Sequence, residues 1–405
     1  MRIALINNYF PPRTTGSSHL TEELAGWYAK LGHEVCVVTA QYADAPRQET
    51  RNGYEVFRLP AWKMPELPIA FGYDIRFTLS PRNIRRFSGL LDSFRPEVIH
   101  QHGQFFDLAY LSCLYAWRRR VPHMTSVHAR LEHPNPLYGG VFRVADGTIV
   151  RGSLALARSN VVVMDKAMDR YIRSRYRIPD KRLHGIPVGV DIDRFTAPVG
   201  VESIRDRYGL DERPLILSVG HVTPYRNRVA LVRAIPHLAR ITDDFQIAIV
   251  GGVHDEEFLG EAERLGVRGR LILTGPVPKQ DVAALLAVST VEVHDLQRQG
   301  LGTASLEAIA AAVPVVSDVE ADNFPDIELV DGQHLLMVPP DDAVALAGTL
   351  ARLLADAGLR SRLGATGSAF VRDQFGIERI ATRHLAAYEA MTEQCGPPSD
   401  HRLRR

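Results

Sequence analysis

Residues His294 to Pro314 read HDLQRQGLGTASLEAIAAAVP. A polar run ends in Gly300-Leu301-Gly302, and Thr303 is placed to cap the start of a helix. Ala304 to Ala312 supplies strong helix formers, and Val313-Pro314 ends them because proline cannot continue a helix. A glycine loop that enters a helix presents unpaired N–H groups and the positive end of the helix dipole, which suit an anion such as phosphate. Gly300 and Gly302 carry no Cβ and let a ligand approach the backbone. Glu307 follows about one turn on, roughly 6 Å along the axis, where a carboxylate can accept hydrogen bonds from ribose hydroxyls. A second reading stays open, a buried alanine-rich helix whose glycines only permit a turn.

The rest of the chain sets the bounds. At 405 residues it is too long for one ordinary core, so two domains are expected. A hydrophobic fraction of 45% and a charged fraction of 23% are those of a globular protein. A net charge of +1 gives no case for nucleic acid as a partner. Cys36, Cys113 and Cys395 form no metal or redox spacing and fit a reducing compartment. No apolar run is long enough to span a bilayer, and Met1-Arg2 leads straight into IALIN without a signal-peptide core, so a cytoplasmic protein is expected.

In the first half, Ile3 to Ile6 reads as a buried parallel strand. A polar loop with Gly16 follows, then a helix from His19 and a strand over Glu34 to Thr39. Together they make a βαβ unit without the G-x-G-x-x-G of dinucleotide binders. Residues 41 to 80 read as irregular. Arg82, Arg85, Arg86 and Arg95 surround apolar residues on a basic amphipathic helix, taken as a solvated face, with a membrane-surface role the less favoured reading. Strands end near His102 and His128, and ligands in open parallel sheets bind beyond the carboxyl ends of strands.

In the second half, Thr196 to Gly200 reads as a linker. Leu215 to Val219 opens another strand–helix series, followed by Gly220-His221 and a basic loop at Arg226. A guanidinium there can hold two phosphate oxygens at once, or can merely solvate the next helix. Strand-to-loop junctions recur at Gly251-Gly252 and Gly275-Pro276. Alternating strands and helices place both halves in the doubly wound α/β class. A last helix from about Glu378 and a polar tail from Pro397, expected to be disordered, close the chain.

These junctions together resemble the large retaining family of GT-B glycosyltransferases that includes sucrose synthases and phosphatidylinositol mannosyltransferases. Tyr9-Phe10-Pro11 with Gly16-Ser17, Gly32-His33-Glu34-Val35, Arg95-Pro96-Glu97-Val98-Ile99-His100 and Ile186-Pro187-Val188-Gly189-Val190-Asp191 resemble its N-terminal motifs. Val219-Gly220 with His221 and Arg226 resembles V-G-R-x-x-x-x-K. Gln299-Gly300-Leu301-Gly302 through Glu307-Ala308-Ile309-Ala310 resembles E-G-F-G-x-x-x-L-E-A-M-A.

The resemblance implies a GT-B fold, two Rossmann-like doubly wound domains facing a central cleft. Residues 1–195 would bind the acceptor and 196–375 the nucleotide sugar, and 376–405 would hold a helix crossing back to the first domain and the tail. It implies a metal-independent, retaining hexosyltransferase with a nucleotide-sugar donor, UDP-sugar favoured over GDP-sugar, and a small-molecule acceptor such as an aminocyclitol. The alternatives are a membrane-surface lipid or polysaccharide transferase, and an inactive nucleotide-sugar-binding relative. No cofactor and no metal are implied.

Carried over residue by residue, the donor would meet Gly16, His221, Arg226, Val277, Gln299, Gly300, Leu301, Gly302, Thr303 and Glu307. Chemistry would fall to His128, Arg226 and Gln299, and the acceptor to His102. Three departures stand out. Gln299 replaces a glutamate, His221 replaces an arginine, and Ser17 replaces a glycine. An amide cannot stabilise an oxocarbenium-like centre by charge, and a histidine clamp is sensitive to pH.

Overall fold

A computed structural model describes residues 1–405 except 14, 66–74, 134, 294–295, 297–299 and 396–405, and Cys395 through its backbone. The chain forms two compact units, each with its own parallel sheet. Unit 1 combines Met1–Val188 with the chain from Ile377 onward, and unit 2 is Gly189–Gly376.

The strands of unit 1 are β1 (Arg2–Asn7), β2 (Glu34–Ala40), β3 (Gln48–Arg51), β4 (Tyr54–Leu59), β5 (Trp62–Lys63), β6 (Arg76–Phe77), β7 (Val98–His102), β8 (His123–Ser126), β9 (Asn160–Val163) and β10 (Leu183–Gly185). The main sheet runs β10-β9-β8-β7-β1-β2-β4-β3, and β5 pairs with β6 apart from it. All neighbours in the main sheet are parallel except β3 with β4. Successive side chains of a strand point to opposite faces. Ile3 and Leu5 therefore pack with Leu20, Leu24 and Tyr28 of the Gly16–Lys30 helix and with Ile380 and Tyr388 of the Ile377–Cys395 helix. Ala4 and Ile6 pack on the other side with Phe87, Leu91, Leu108 and Leu111. Burial on both faces is why these strands read as continuous apolar runs.

Unit 2 holds β11 (Leu215–Val219), β12 (Gln246–Val250), β13 (Leu271–Gly275), β14 (Val291–Val293), β15 (Val315–Ser317) and β16 (Leu336–Met337). Its sheet runs β13-β12-β11-β14-β15-β16, parallel throughout. In both units the strand order reverses beside the first strand, between β1 and β7 and between β11 and β14. Such a reversal opens a crevice at the carboxyl ends of the two strands, where ligands of open α/β sheets bind.

Four expectations are corrected. Residues 41–80 are not irregular throughout, because β3 and β4 form a hairpin and β4 extends the sheet beside β2. The turn is Asn52-Gly53 at φ 48° and 85°, the left-handed pair that a two-residue hairpin requires. The first helix starts at Gly16 rather than His19, with Thr15 as its N-cap in a reciprocal pair with Ser18. The helix after Gly302 spans Thr303–Ala310, and Gly302, not Thr303, is its N-cap. Thr196–Gly200, read as a linker, lies inside unit 2, where the Asp193–Thr196 helix buries Phe195. Gln299 and the tail from Pro397 lie outside the described residues.

Candidate functional site

The switch point of unit 2 is built from three loops. The first opens the Thr303–Ala310 helix. Gly300 takes φ +84°, and a Cβ there would sit 2.8 Å from Asn323 Oδ1, so only glycine fits. Leu301 turns its side chain into the core at 4% exposure, which anchors the loop. Gly302 is extended, and among the described residues no side chain caps the helix. The first turn also holds no acidic residue. The N–H groups of Ser305 and Leu306 turn back to the Gly302 carbonyl, each at 3.2 Å. Those of Thr303 and Ala304 head the helix with neither a side-chain cap nor a carboxylate to offset the dipole.

Glu307 stands on the same helix, partly buried, 3.9 Å from Lys279 Nζ. Lys279 begins the Lys279–Ala287 helix, just after β13 and the Pro276-Val277-Pro278 turn. Val277 is half-buried in that turn. The ion pair turns the Glu307 carboxylate toward the β13 loop. The pair is long, and the Glu307 side chain is 14% exposed.

The third loop follows β11. Thr223 and Arg226 exchange backbone hydrogen bonds of 3.3 and 2.9 Å, closing a tight turn that holds Arg226 at the surface. Arg228 is the opposite case at 3% exposure. Its Nη1 donates to the Arg226 carbonyl at 3.0 Å, and its Nη2 lies 3.5 Å from where Gly220 would carry a Cβ. A buried guanidinium thus lies against the end of β11. His221 accepts through Nδ1 from the Gly252 N–H at 3.1 Å. Neutral His221 therefore carries its proton on Nε2, where it can donate to an anion. A Cβ on Gly252 would stand 2.8 Å from His221 Nδ1 and 3.0 Å from His254 Nε2, so that glycine is sterically required.

In unit 1 the carboxyl ends of β7 and β8 bring histidines together. His102 Nδ1 lies 3.0 Å from His128 Nε2, with the two rings stacked at 22°. His100 bonds the Tyr388 hydroxyl at 2.5 Å and the Ser126 hydroxyl at 2.8 Å. Tyr388 in turn meets Tyr28 at 3.2 Å. His384 donates from Nδ1 to the Ile380 carbonyl at 2.9 Å. Burial, reinforced by neighbouring histidines, holds His100 and His102 well below the ordinary imidazole range. Burial pushes His128 down to about 3 and His384 to about 4. The cluster is neutral at physiological pH. Among the described residues, no three His, Cys, Asp or Glu side chains are placed to hold a metal ion.

Neutrality fixes the tautomers. His102 is 1% exposed, and its Nε2 has no hydrogen-bond partner among the described residues. A buried orphan N–H is rarer and costlier than a bare ring lone pair. His102 therefore carries its proton on Nδ1 and donates to His128 Nε2. His128, half-buried, then carries its proton on Nδ1, the nitrogen left for a ligand. His102, expected at the acceptor, is buried and hydrogen-bonds His128.

Gly16 is exposed at the start of its helix, and a Cβ there would meet nothing within 4 Å. His221, Arg226, Val277, Gly300 and Gly302 stand on loops that follow strands of the unit 2 sheet, and Thr303 and Glu307 on the helix that follows β14. Arg228 and Lys279 were missed. Arg228 gave a signal in the run Arg226-Asn227-Arg228, and Lys279 in being the first cation after the β13 turn.

Residues 15–189 match the description Glycosyl transferase 4-like domain, and residues 201–370 match Glycosyl transferases group 1. A GDP-mannose-dependent alpha-(1-6)-phosphatidylinositol monomannoside mannosyltransferase of Mycolicibacterium smegmatis is 29% identical over 390 residues, covering 92% of this chain and 94% of that protein. A D-inositol 3-phosphate glycosyltransferase of Xylanimonas cellulosilytica is 27% identical, covering 92% and 91%. Among solved structures, a sucrose-phosphate synthase from Thermosynechococcus elongatus superposes with a TM-score of 0.72 at 20% identity, over 97% of this chain and all of that one (100%).

Proposed function

The chain belongs to the group 1 glycosyltransferases and has the GT-B fold, and on that premise we propose that it moves a hexose from a nucleoside-diphosphate sugar to a hydroxyl of a cyclitol-type acceptor with retention of configuration. Unit 2 takes the donor. The diphosphate sits on the Thr303 and Ala304 N–H groups, flanked by Arg226 and the Nε2–H of His221. Glu307 exchanges Lys279 for the ribose hydroxyls. The observation that carries this reading is the helix start at Gly302, which has no capping side chain and no acidic residue.

No divalent ion is required in this scheme, since guanidinium and backbone N–H groups balance the charge that develops on the leaving diphosphate. The C1–oxygen bond to phosphate breaks while a bond from the acceptor oxygen forms on the same face. The acceptor proton passes to the departing phosphate oxygen. His128 offers its Nδ1–H to a sugar hydroxyl. A cyclitol acceptor is supported by the inositol-based substrates in the relatives' names. Those names also bring GDP-mannose level with the UDP-sugars as donor.

Thermal-shift and transfer assays with UDP-glucose, UDP-N-acetylglucosamine and GDP-mannose test the proposal, with inositol and inositol phosphate as acceptors. One donor should raise the unfolding midpoint, because a ligand of the folded state stabilises it by mass action. Glu307→Ala should weaken that donor by about 2 kcal/mol, the scale of a lost charged hydrogen bond. No shift with any nucleotide sugar, and no transfer or donor hydrolysis, would end this reading.

A further inference from the structure

The stretch that carries His128 lies beyond the sheet. β8 ends at Ser126, whose carbonyl accepts from the Gly103 N–H at 2.9 Å. Residues 127–133 then run outside any strand or helix. The backbone polar groups of such a stretch need partners from elsewhere. Two buried side chains reach in. Gln104 Nε2 donates to the Ala129 carbonyl at 2.7 Å. The Tyr171 hydroxyl accepts from the Leu131 N–H at 3.0 Å. One pin takes a carbonyl and the other an N–H, and both fall just past His128.

Tyr171 is itself held from behind. It stands on the Lys166–Tyr176 helix, and its hydroxyl donates to Asp146 Oδ2 at 2.5 Å. Tyr176 donates to Asp146 Oδ1 at 2.6 Å. Asp146 opens a π-helical turn, Asp146–Val150, that joins the Pro136–Ala145 helix to Arg151–Leu156. The wide turn adds about one residue to the helix. Leu137, Val141, Val144, Ile149 and Leu156 form an exposed stripe along this helix, whereas the Asp146 side chain is fully buried. Burial raises the Asp146 carboxyl above its ordinary range, and the two tyrosine hydroxyls draw it back down. Arg175 Nε stands 4.0 Å away.

An ionised carboxylate can only accept hydrogen bonds. Both tyrosine protons are therefore committed to Asp146, and the Tyr171 oxygen offers Leu131 its lone pairs alone. A satisfied buried network of this kind rigidifies one arrangement, and this one ends on the backbone beside His128. The His128 ring has a separate support in His102, at 3.0 Å. Ring and main chain are thus fixed by different partners.

We propose that Tyr171, with its proton direction set by Asp146, is a positioning residue for His128. It touches no substrate. It holds the stretch from His128 to Leu131 so that the His128 Nδ1–H keeps one bearing on the sugar. The inference rests on the reading of His128 as a group that meets a sugar hydroxyl, and it extends that site to residues on two further helices.

Tyr171→Phe removes one oxygen and keeps the ring, with the unfolding midpoint as the check on its fold. Hydrogen–deuterium exchange followed by mass spectrometry should quicken about tenfold over residues 127–133 and stay unchanged in unit 2. In transfer assays kcat should fall about tenfold, the scale of a misplaced catalytic contact, while titration shows the nucleotide-sugar affinity within about twofold of the wild type. Asp146→Asn turns an N–H toward one tyrosine that needs an acceptor, and it should move both readouts in the same direction. Should Tyr171→Phe unfold early, Asp146→Asn carries the same comparisons. The deciding step is a double-mutant cycle. With His128→Ala already in place, Tyr171→Phe should cost kcat nothing more, whereas a tyrosine that only supports the fold would cost the same in both backgrounds. Unchanged exchange over residues 127–133, or equal losses in the two backgrounds, would overturn this inference alone. A wild type that binds no nucleotide sugar and transfers nothing would overturn the transferase reading and this inference with it.

Discussion

His102 illustrates how one side chain's hydrogen-bonding account fixes the state of another. With Nε2 bare and Nδ1 3.0 Å from His128, its proton has one place to be, and that choice sets the tautomer His128 shows to a ligand. His102→Leu should lower kcat by about tenfold to a hundredfold, within the range for removing a general acid–base or orienting contact, while leaving donor affinity nearly unchanged. His102→Asn, which keeps an N–H donor, should recover part of the loss. A nitrogen NMR signature showing His128 protonated on Nε2 in the wild type would contradict the assignment. At this scale the sequence was most readable where placement is local, as with Glu307 on the helix after Gly302 and Arg226 in the turn after β11. It was least readable where partners meet across the chain. His100 and Tyr388 are 288 positions apart, and nothing local in either marks the pair.

On the proposed donor site, the helix opening at Gly302 sets stability against binding. A carboxylate at Thr303 would satisfy the dipole that the native helix leaves open. Thr303→Asp should therefore stabilise the free protein by about 0.5 kcal/mol and weaken nucleotide binding by repelling the diphosphate. Opposite signs in melting and in titration distinguish this from ordinary damage, and a variant that binds nucleotide as tightly as the wild type would refute it. Elements with strong punctuation were legible from sequence, and β11 has the bounds that its apolar run suggests. The β3–β4 hairpin was missed although Asn52-Gly53 announces it, because the prolines downstream drew the whole region into one irregular reading. The helix start shifted by one residue because Gly302 adopts the extended cap conformation and Thr303 is drawn into the first turn. The exposed stripe over residues 137–156 depends on a π turn, and no pattern of fixed period contains one.

Across the whole molecule, the buried histidines make stability depend on pH. Their folded values lie below the ordinary 6.5, about 3 for His123 and His128 and about 4 for His384. The unfolded chain therefore binds more protons in that window. Their stabilising contribution is complete above pH 6.5 and drains away as pH falls from there toward 3 and 4. Each such histidine adds a slope of about 1.4 kcal/mol per pH unit inside its window. Unfolding midpoints should hold steady from about pH 8 to 7 and fall steeply toward about pH 5. His384→Phe should flatten that descent, and an equally steep fall in that variant would count against the cluster as its source.

Unit 1 is assembled from two stretches of chain that unit 2 separates. Ile377, Ile380, Leu385, Tyr388 and Met391 complete a core begun by Ile3 and Leu5. In chain order that interior can close only after the Ile377–Cys395 helix has been made, by which point all of unit 2 has been synthesised. Any fragment cut at Val188 leaves the same interior open. A self-sufficient half would have to be made by splicing the terminal helix back onto residues 1–188.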